Sequence, residues 1–416
     1  MSPPFRLSRA CAVTALAAAL GACSLFAPLH REPIVVAPPP PPHDATPVAM
    51  HRFELQSDLD DVVGAVQLTT TTKDDTFSDI ARRFDVGYEE MLRANPGVDP
   101  WLPGAGRVVV VPTQFILPNA PRVGLVINIP AMRIYYFPPR QAGQKQVVYT
   151  HPIGIGRVGW KTPEGVTKVI RKQKDPVWRP TPSIRKEHAE NDDPLPEVVK
   201  AGPDNPLGRS AMYLGWPSYL IHGTNKPYGV GLRSSHGCIR LYNEDVDPLF
   251  EKLPVGTPVR AVNQPFVFGW HENELFLQSF GVLEDDPRDF NNATRKLLSK
   301  ELAARIQKQL KARNVRLNWD AVSQVAHEPR GIPVAVSRSG ASVELVLASA
   351  RKVENRVPEG SNWDGKVDMT VDPQQFREML SDSDPGADSG KGSPTQAPNP
   401  VPATGQATAK KKKPTT

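Results

Sequence analysis

Apolar and polar positions change period several times along the chain, and each change predicts an element. Phe77, Ile80, Ala81 and Phe84 recur at helical spacing, as do Met91 and Leu92 after a turn near Val86 and Gly87. A β-branched run from Val108 to Val111 closes this stretch, so Leu68 to Pro112 predicts a strand, two short helices and a strand. From Arg122 to about Val262 short strands dominate: Val123–Ile129, Arg133–Phe137, Gln146–Ile153, Val166–Arg171, Tyr213–Ile221 and Val259–Val262, punctuated by Gly and Pro. With so little helix between them, they argue for a β-rich sandwich or barrel-like domain. One helix is expected there, Glu244–Lys252, capped by Asn243 and carrying Glu244 and Asp245 in the first turn, where the helix dipole favours acidic groups. Phe266–Phe280 predicts another strand pair. Asn292–Arg313 predicts an amphipathic helix with Leu298, Leu302, Ile306 and Leu310 on one face, in a region read as a packing appendage to the β domain.

The 416 residues allow two or three domains, and 39% apolar with 23% charged residues is ordinary for a globular chain. The 45 prolines are not ordinary, being about twice the usual share. The run Pro38–Pro42 favours an extended, semi-rigid spacer. Beyond about Ser381 the chain is Ser, Pro, Gly, Ala and Lys with almost no large apolar side chain, and residues 381–416 are expected to stay disordered. Lys410 to Lys413 supply four charges of the formal +6, so the remainder is nearly balanced and no nucleic-acid partner is predicted.

At the N-terminus Arg6 and Arg9 precede an apolar run, Ala10–Leu20, and a small-residue site, an export signal over residues 1–22. The run is too short to span a bilayer. Leu20-Gly21-Ala22-Cys23 resembles the bacterial lipobox, which implies lipidation of Cys23 as the first mature residue and a lipid-anchored, Pro-rich tether over 23–65. Ser24, in place of Asp, implies sorting to the outer membrane, with the body in the periplasm. Of three cysteines, Cys11 then lies in the removed signal and Cys23 carries lipid. Cys238 is left without a disulfide partner, a liability in an oxidising compartment unless it is buried or chemically employed.

Gly154-Ile155-Gly156-Arg157-Val158-Gly159 matches a dinucleotide fingerprint after a predicted strand. Pro163 and Gly165 fall where the phosphate-facing helix should run, so a turn between strands explains it better. Around Cys238 three readings compete. His222, His236 and Cys238 are enough ligands for a zinc ion with one open position, although no Cys-x-x-Cys pair supports it. A buried, inert cysteine is common, but two histidines, two serines, an arginine and four glycines nearby are poor material for a dry core. As a nucleophile Cys238 needs a base, which His222 can supply as a thiolate–imidazolium partner, and oxyanion donors, for which the N–H groups of His236, Gly237 and Cys238 are candidates.

Two resemblances sharpen these readings. Asp75-Thr76, Ile80–Phe84, Leu92, Asn95-Pro96-Gly97, Leu102-Pro103-Gly104 and Val111-Pro112 resemble the LysM domain, which implies binding of N-acetylglucosamine-containing glycan over residues 66–114. Asp74 stands where that family usually has glycine. His222-Gly223-Thr224 followed by Ser235-His236-Gly237-Cys238-Ile239-Arg240, with Thr162-Pro163-Glu164-Gly165 upstream, resembles the L,D-transpeptidase (YkuD) catalytic domain over 121–264. This implies a mainly β protein: a β-sandwich-like catalytic domain, a small α+β LysM module and, over 265–350, a partly helical C-terminal extension.

The second resemblance also implies roles. Cys238 is the nucleophile that attacks a tetrapeptide stem of peptidoglycan and expels D-Ala, and His222 is the general base. His236 and Gly237 support the loop and oxyanion, while Arg240, Ser235 and Thr224 contact substrate. Neither cofactor nor metal is needed, because one amide is exchanged for another. The acceptor is an amine, of diaminopimelate in a 3-3 cross-link or of a lysine on an outer-membrane lipoprotein, and water would make the protein a hydrolase. A non-enzymatic, wall-binding lipoprotein is the rival from another class.

Overall fold

The computed structural model describes residues 51–288, 306–357 and Asn362. The signal, lipobox, tether and basic tail, and Leu298 and Leu302 of the predicted amphipathic helix, lie outside the described residues.

Strands β1 (Arg52–Glu54), β2 (Val62–Gly64) and β3 (Gln67–Thr70) lead into helices α1 (Phe77–Arg83) and α2 (Tyr88–Ala94), then β4 (Val108–Val111) and β5 (Gln114–Ile116). The predicted strand, two helices and strand are all present, with β3 antiparallel to β4 from Gln67↔Val111 to Thr70↔Val108. Thr76 starts α1 as a capping box: its hydroxyl accepts the Asp79 N–H, and the Asp79 carboxylate accepts the Thr76 N–H. Every residue of α1 is buried, so this short helix is held by packing rather than by propensity.

The main sheet uses β6 (Gly124–Asn128), β7 (Arg133–Phe137), β8 (Val147–Pro152), β10 (Gly165–Lys174), β11 (Ser210–Leu214), β12 (Leu220–His222), β14 (Ile239–Arg240) and β15 (Pro258–Val262), while β9 (Ile155–Gly156) pairs with β13 (Arg233–Ser235). The nine-stranded order is β1-β8-β7-β6-β15-β10-β11-β12-β14. Ile127, Ile134, Met212, Ile221, Ile239 and Val259 form its core, closed by Val246 and Leu249 of α4 (Asn243–Lys252). The mainly β expectation holds, with three local differences.

Tyr213–Ile221 is not one strand but β11 and β12, folded back antiparallel, because Gly215, Pro217 and a left-handed Ser218 make a turn between them. Helix α3 (Pro182–Glu190) was not predicted: none of its residues is buried, so it has no apolar stripe, and Thr181 and Pro182 start it. Asn243 does not cap α4; it is the first helical residue, and its side chain turns to Thr224. After Gly156 the fingerprint-like segment makes a turn and passes into β10.

Strands β16 (Phe266–His271) and β17 (Glu274–Ser279) form the predicted hairpin. Helices α5 (Gln307–Arg313), α6 (Trp319–His327) and α7 (Val343–Ala348) follow, then β18 (Arg351–Lys352). The extension packs differently from expectation. β18 joins β3 in parallel, and Val322, Val325 and Val334 share a core with Val66, Ala94 and Val110, so it completes the helix-containing N-terminal module.

That module is locked to the main sheet by buried charge. Arg82 pairs with Glu244 of α4, and Arg133 of β7 with Glu90 of α2 at 3.0 Å. His151 Nδ1 lies 3.1 Å from Asp85 and 3.3 Å from Asp245. Burial opposes protonation of His151, but the two carboxylates overcome it and hold its pKa up to about 10. Burial and the Asp245 charge push Asp85 upward as well. A pKa raised in the folded state stabilises fully below the unfolded value and is lost as pH climbs through the folded one. Thermal stability is therefore expected to fall between pH 7 and 10.5, by about 2 kcal/mol or more at ~1.4 kcal/mol per pKa unit. A His151→Gln protein should lose much of that slope, which denaturation across this range measures.

Candidate active site

The parallel pairing of β12 with β14 sets Ile221 beside Ile239 and His222 beside Arg240. Both isoleucines are fully buried in the core, so alternation turns His222 and Arg240 to the other face, with Cys238 two residues before Arg240. Both motif halves thus meet at the edge of the sheet, although His222 and Cys238 lie sixteen positions apart in the sequence.

His222 Nδ1 lies 2.6 Å from the Gly223 carbonyl, which can only accept, so Nδ1 carries the proton and Nε2 keeps the lone pair in neutral imidazole. Burial lowers the His222 pKa, Arg240 lowers it further, and it falls to about 3 against the opposing Gly223 bond. Burial likewise raises the Cys238 thiol to about 11, although the Leu220 backbone and Arg240 pull it down. Both shifts favour the neutral forms over the thiolate–imidazolium pair expected from sequence. The Cys238 thiol donates to the Ser218 carbonyl at 3.5 Å.

Gly237 adopts φ +104, and a Cβ there would meet Tyr219 Cε1 at 2.8 Å, so the turn before Cys238 requires glycine. Its N–H, however, donates to Ser235 Oγ at 3.1 Å and is not free for an oxyanion. Ser235 in turn donates to the Cys238 carbonyl at 2.6 Å, and Thr162 donates to the Gly237 carbonyl at 2.9 Å while accepting the Gly156 N–H. Ser235 thus holds the loop. So does Thr224: Asn243 bonds both its N–H and its carbonyl, and its hydroxyl accepts from Lys226.

His236 turns toward α3, with Nε2 3.2 Å from Glu187 and its ring edge-on to Trp160 at 4.9 Å. Glu187 also pairs with Arg157. His222, His236 and Cys238 are thus not brought together as a ligand set; among the described residues the grouping suited to a metal is Asp85, His151 and Asp245, whose donors already share the His151 proton. Arg240, level with His222 in the ladder, has a buried, unpartnered Nε. Glu187, Asn243 and Thr162 are the residues that sequence reasoning left without a site role. Asn243, a polar residue opening a helix just after the motif, carried a weak signal; Glu187 carried none.

The sequence matches the L,D-transpeptidase (YkuD) catalytic domain over residues 122–260 and the LysM domain over residues 70–112. It is 48% identical over 186 residues to a probable L,D-transpeptidase ErfK/SrfK of Escherichia coli, a match spanning 44% of this chain and 58% of that protein. The corresponding Salmonella typhimurium protein is 50% identical over 189 residues, 45% of this chain and 60% of that one. A probable L,D-transpeptidase YbiS of Escherichia coli is 45% identical over 216 residues, 51% of this chain and 69% of that protein. The chain thus spans about three fifths of the first two relatives.

A half-buried thiol with a raised pKa makes a prediction. Alkylation of Cys238 by a neutral reagent should keep rising through pH 9 and 10 with no plateau near neutrality, because thiolate accumulates only toward the raised pKa. Rate against pH, with the site of labelling read by mass spectrometry, checks it.

Proposed function

Because this chain belongs to the L,D-transpeptidase family, we propose that it transfers a peptidoglycan stem peptide from its terminal D-Ala to an amine through a thioester on Cys238. The observation that carries this reading is the His222 tautomer: Nδ1–H is spent on the Gly223 carbonyl, which leaves Nε2 as a base on the face that carries Cys238. As sulfur adds to the stem carbonyl, its proton passes to Nε2. The tetrahedral centre collapses, the bond to D-Ala nitrogen breaks, and that nitrogen takes the proton from His222. The incoming amine then adds to the thioester, gives its proton to His222, and the thiol leaves reprotonated.

Keeping both groups neutral at rest suits this cycle. The thiol is protected in the absence of substrate, and charge develops only in the transition state, where the Arg240 guanidinium stabilises it. Arg240 is also the group proposed to meet a substrate carboxylate, as a guanidinium pairs with carboxylates.

The LysM module is proposed to hold glycan. Trp101 is 49% exposed and Leu102 78%, and the Tyr88 ring lies 5.8 Å from Trp101, an aromatic platform of the kind sugars stack on. Lipidation at Cys23 would anchor the body in the periplasm at the outer membrane, and this favours a lysine of an outer-membrane protein as acceptor.

Incubation with tetrapeptide muropeptides and an amine acceptor should release D-Ala and form adducts visible by mass spectrometry. Cys238→Ala should abolish both, and identical behaviour of that protein and the wild type rejects the enzyme reading in favour of a wall-binding lipoprotein. His222→Gln should lower turnover by ~10²–10⁴-fold. Trp101→Ala should weaken sedimentation with purified peptidoglycan by up to about tenfold, in line with ~0.5–1.5 kcal/mol for an aromatic contact, while Cys238 alkylation stays as in the wild type.

A further inference from the structure

The helical N-terminal module touches the supports of both halves of the catalytic motif. On one side Arg82 of α1 pairs with Glu244, and Asp85 shares His151 with Asp245. The residue before Glu244 is Asn243, which bonds Thr224 through its N–H at 3.0 Å and its carbonyl at 2.7 Å and packs against Gly223. Gly223 is the residue whose carbonyl sets the His222 tautomer.

On the other side lies the 226–232 loop, which joins the two halves. Gly87 packs directly on Gly231, backbone to backbone, and the Tyr88 and Glu89 N–H groups donate to the Val230 and Gly231 carbonyls at 3.4 and 3.2 Å. Those N–H groups open α2 and have no partner within the helix. From this contact the chain enters β13, paired with β9, and reaches Ser235, which holds the Gly237 and Cys238 backbone.

We propose that the LysM module is a positioning element of the transfer reaction as well as a binding module: through Arg82 and Asp85 it sets the His222 turn, and through Gly87–Glu89 it sets the loop that leads to Cys238. In its turnover prediction the inference rests on the transpeptidase reading; in its thiol prediction it stands without it. The mechanism is steric and local. Two glycines let the backbones meet, and side-chain bulk at either position would push the module off the loop.

Gly87→Ala is the direct probe. Gly87 has an ordinary extended backbone, φ −89, so alanine fits locally, but its Cβ would fall 2.8 Å from Gly231 Cα. Gly104→Ala is the matched control: it strains the same module at φ +81 but meets nothing within 4 Å.

In the full chain Gly87→Ala is expected to lower kcat by ~10-fold or more with KM for the donor stem little changed, since small misplacement of reacting groups is costly. It should also shift the alkylation profile of Cys238 toward that of an ordinary thiol. Gly104→Ala should leave both readouts as in the wild type. If Gly87→Ala does not fold, an Arg82→Met, Glu244→Met pair replaces the buried ion pair at similar volume and should move the same readouts.

Wild-type kcat and wild-type alkylation in a folded Gly87→Ala or Arg82→Met, Glu244→Met protein overturns the inference, as does an equal response to Gly104→Ala. If wild type proves inactive in transfer while Gly87→Ala still shifts alkylation, the positioning role stands and the assigned reaction fails.

Discussion

A two-residue parallel ladder between β12 and β14 is the constraint on which the site depends. It sets His222 level with Arg240, and strand alternation then gives the histidine, the arginine and the cysteine one face while the isoleucines between them enter the core. So short a ladder is not stable alone. Its outer side is secured by Gly154, which exchanges two backbone hydrogen bonds with Arg240, and its inner side by the β11 hairpin partner. Burial that fixes the ladder also sets the electrostatics: the desolvation that makes the core favourable drives the imidazole down and the thiol up.

Around this centre the protein places polar groups where a dry core would be expected, and nearly all are used. Ser235, Thr162, Thr224 and Asn243 have their hydrogen bonds taken up by the backbone of the two catalytic turns. Buried polar networks of this sort specify one geometry, since each missing partner leaves an unsatisfied group behind. The same logic holds between modules. Arg82, Arg133, Glu90 and Glu244 are too buried to be solvated and are tolerated because they are paired.

Much of the fold was legible in the sequence because hydrophobic period survives into structure. Arg133–Phe137 is a strand as predicted, and α1 and α2 follow the spacing of Phe77, Ile80 and Met91. Helix α3 was not legible, having no buried face to impose a period. The β11–β12 turn was hidden because the flanking residues read as one apolar run. At the site, the motif pointed to Cys238 and His222 but did not reveal that Ser235, Thr224 and Gly237 bond within their own loops, since a motif records which residues occur together and not where their hydrogen bonds go.

By itself the sequence determined which chemistry was available: a cysteine within a Gly-rich stretch, a histidine at the end of a predicted strand, and glycines where the backbone must turn tightly. Tertiary structure alone set the direction of the pKa shifts of His222 and Cys238, because these depend on burial and on Arg240, neither of which spacing encodes. It also decided that His236 faces Glu187 and that Gly87 meets Gly231. Those contacts join segments far apart in the chain, and only the packing of the whole fold brings them within reach.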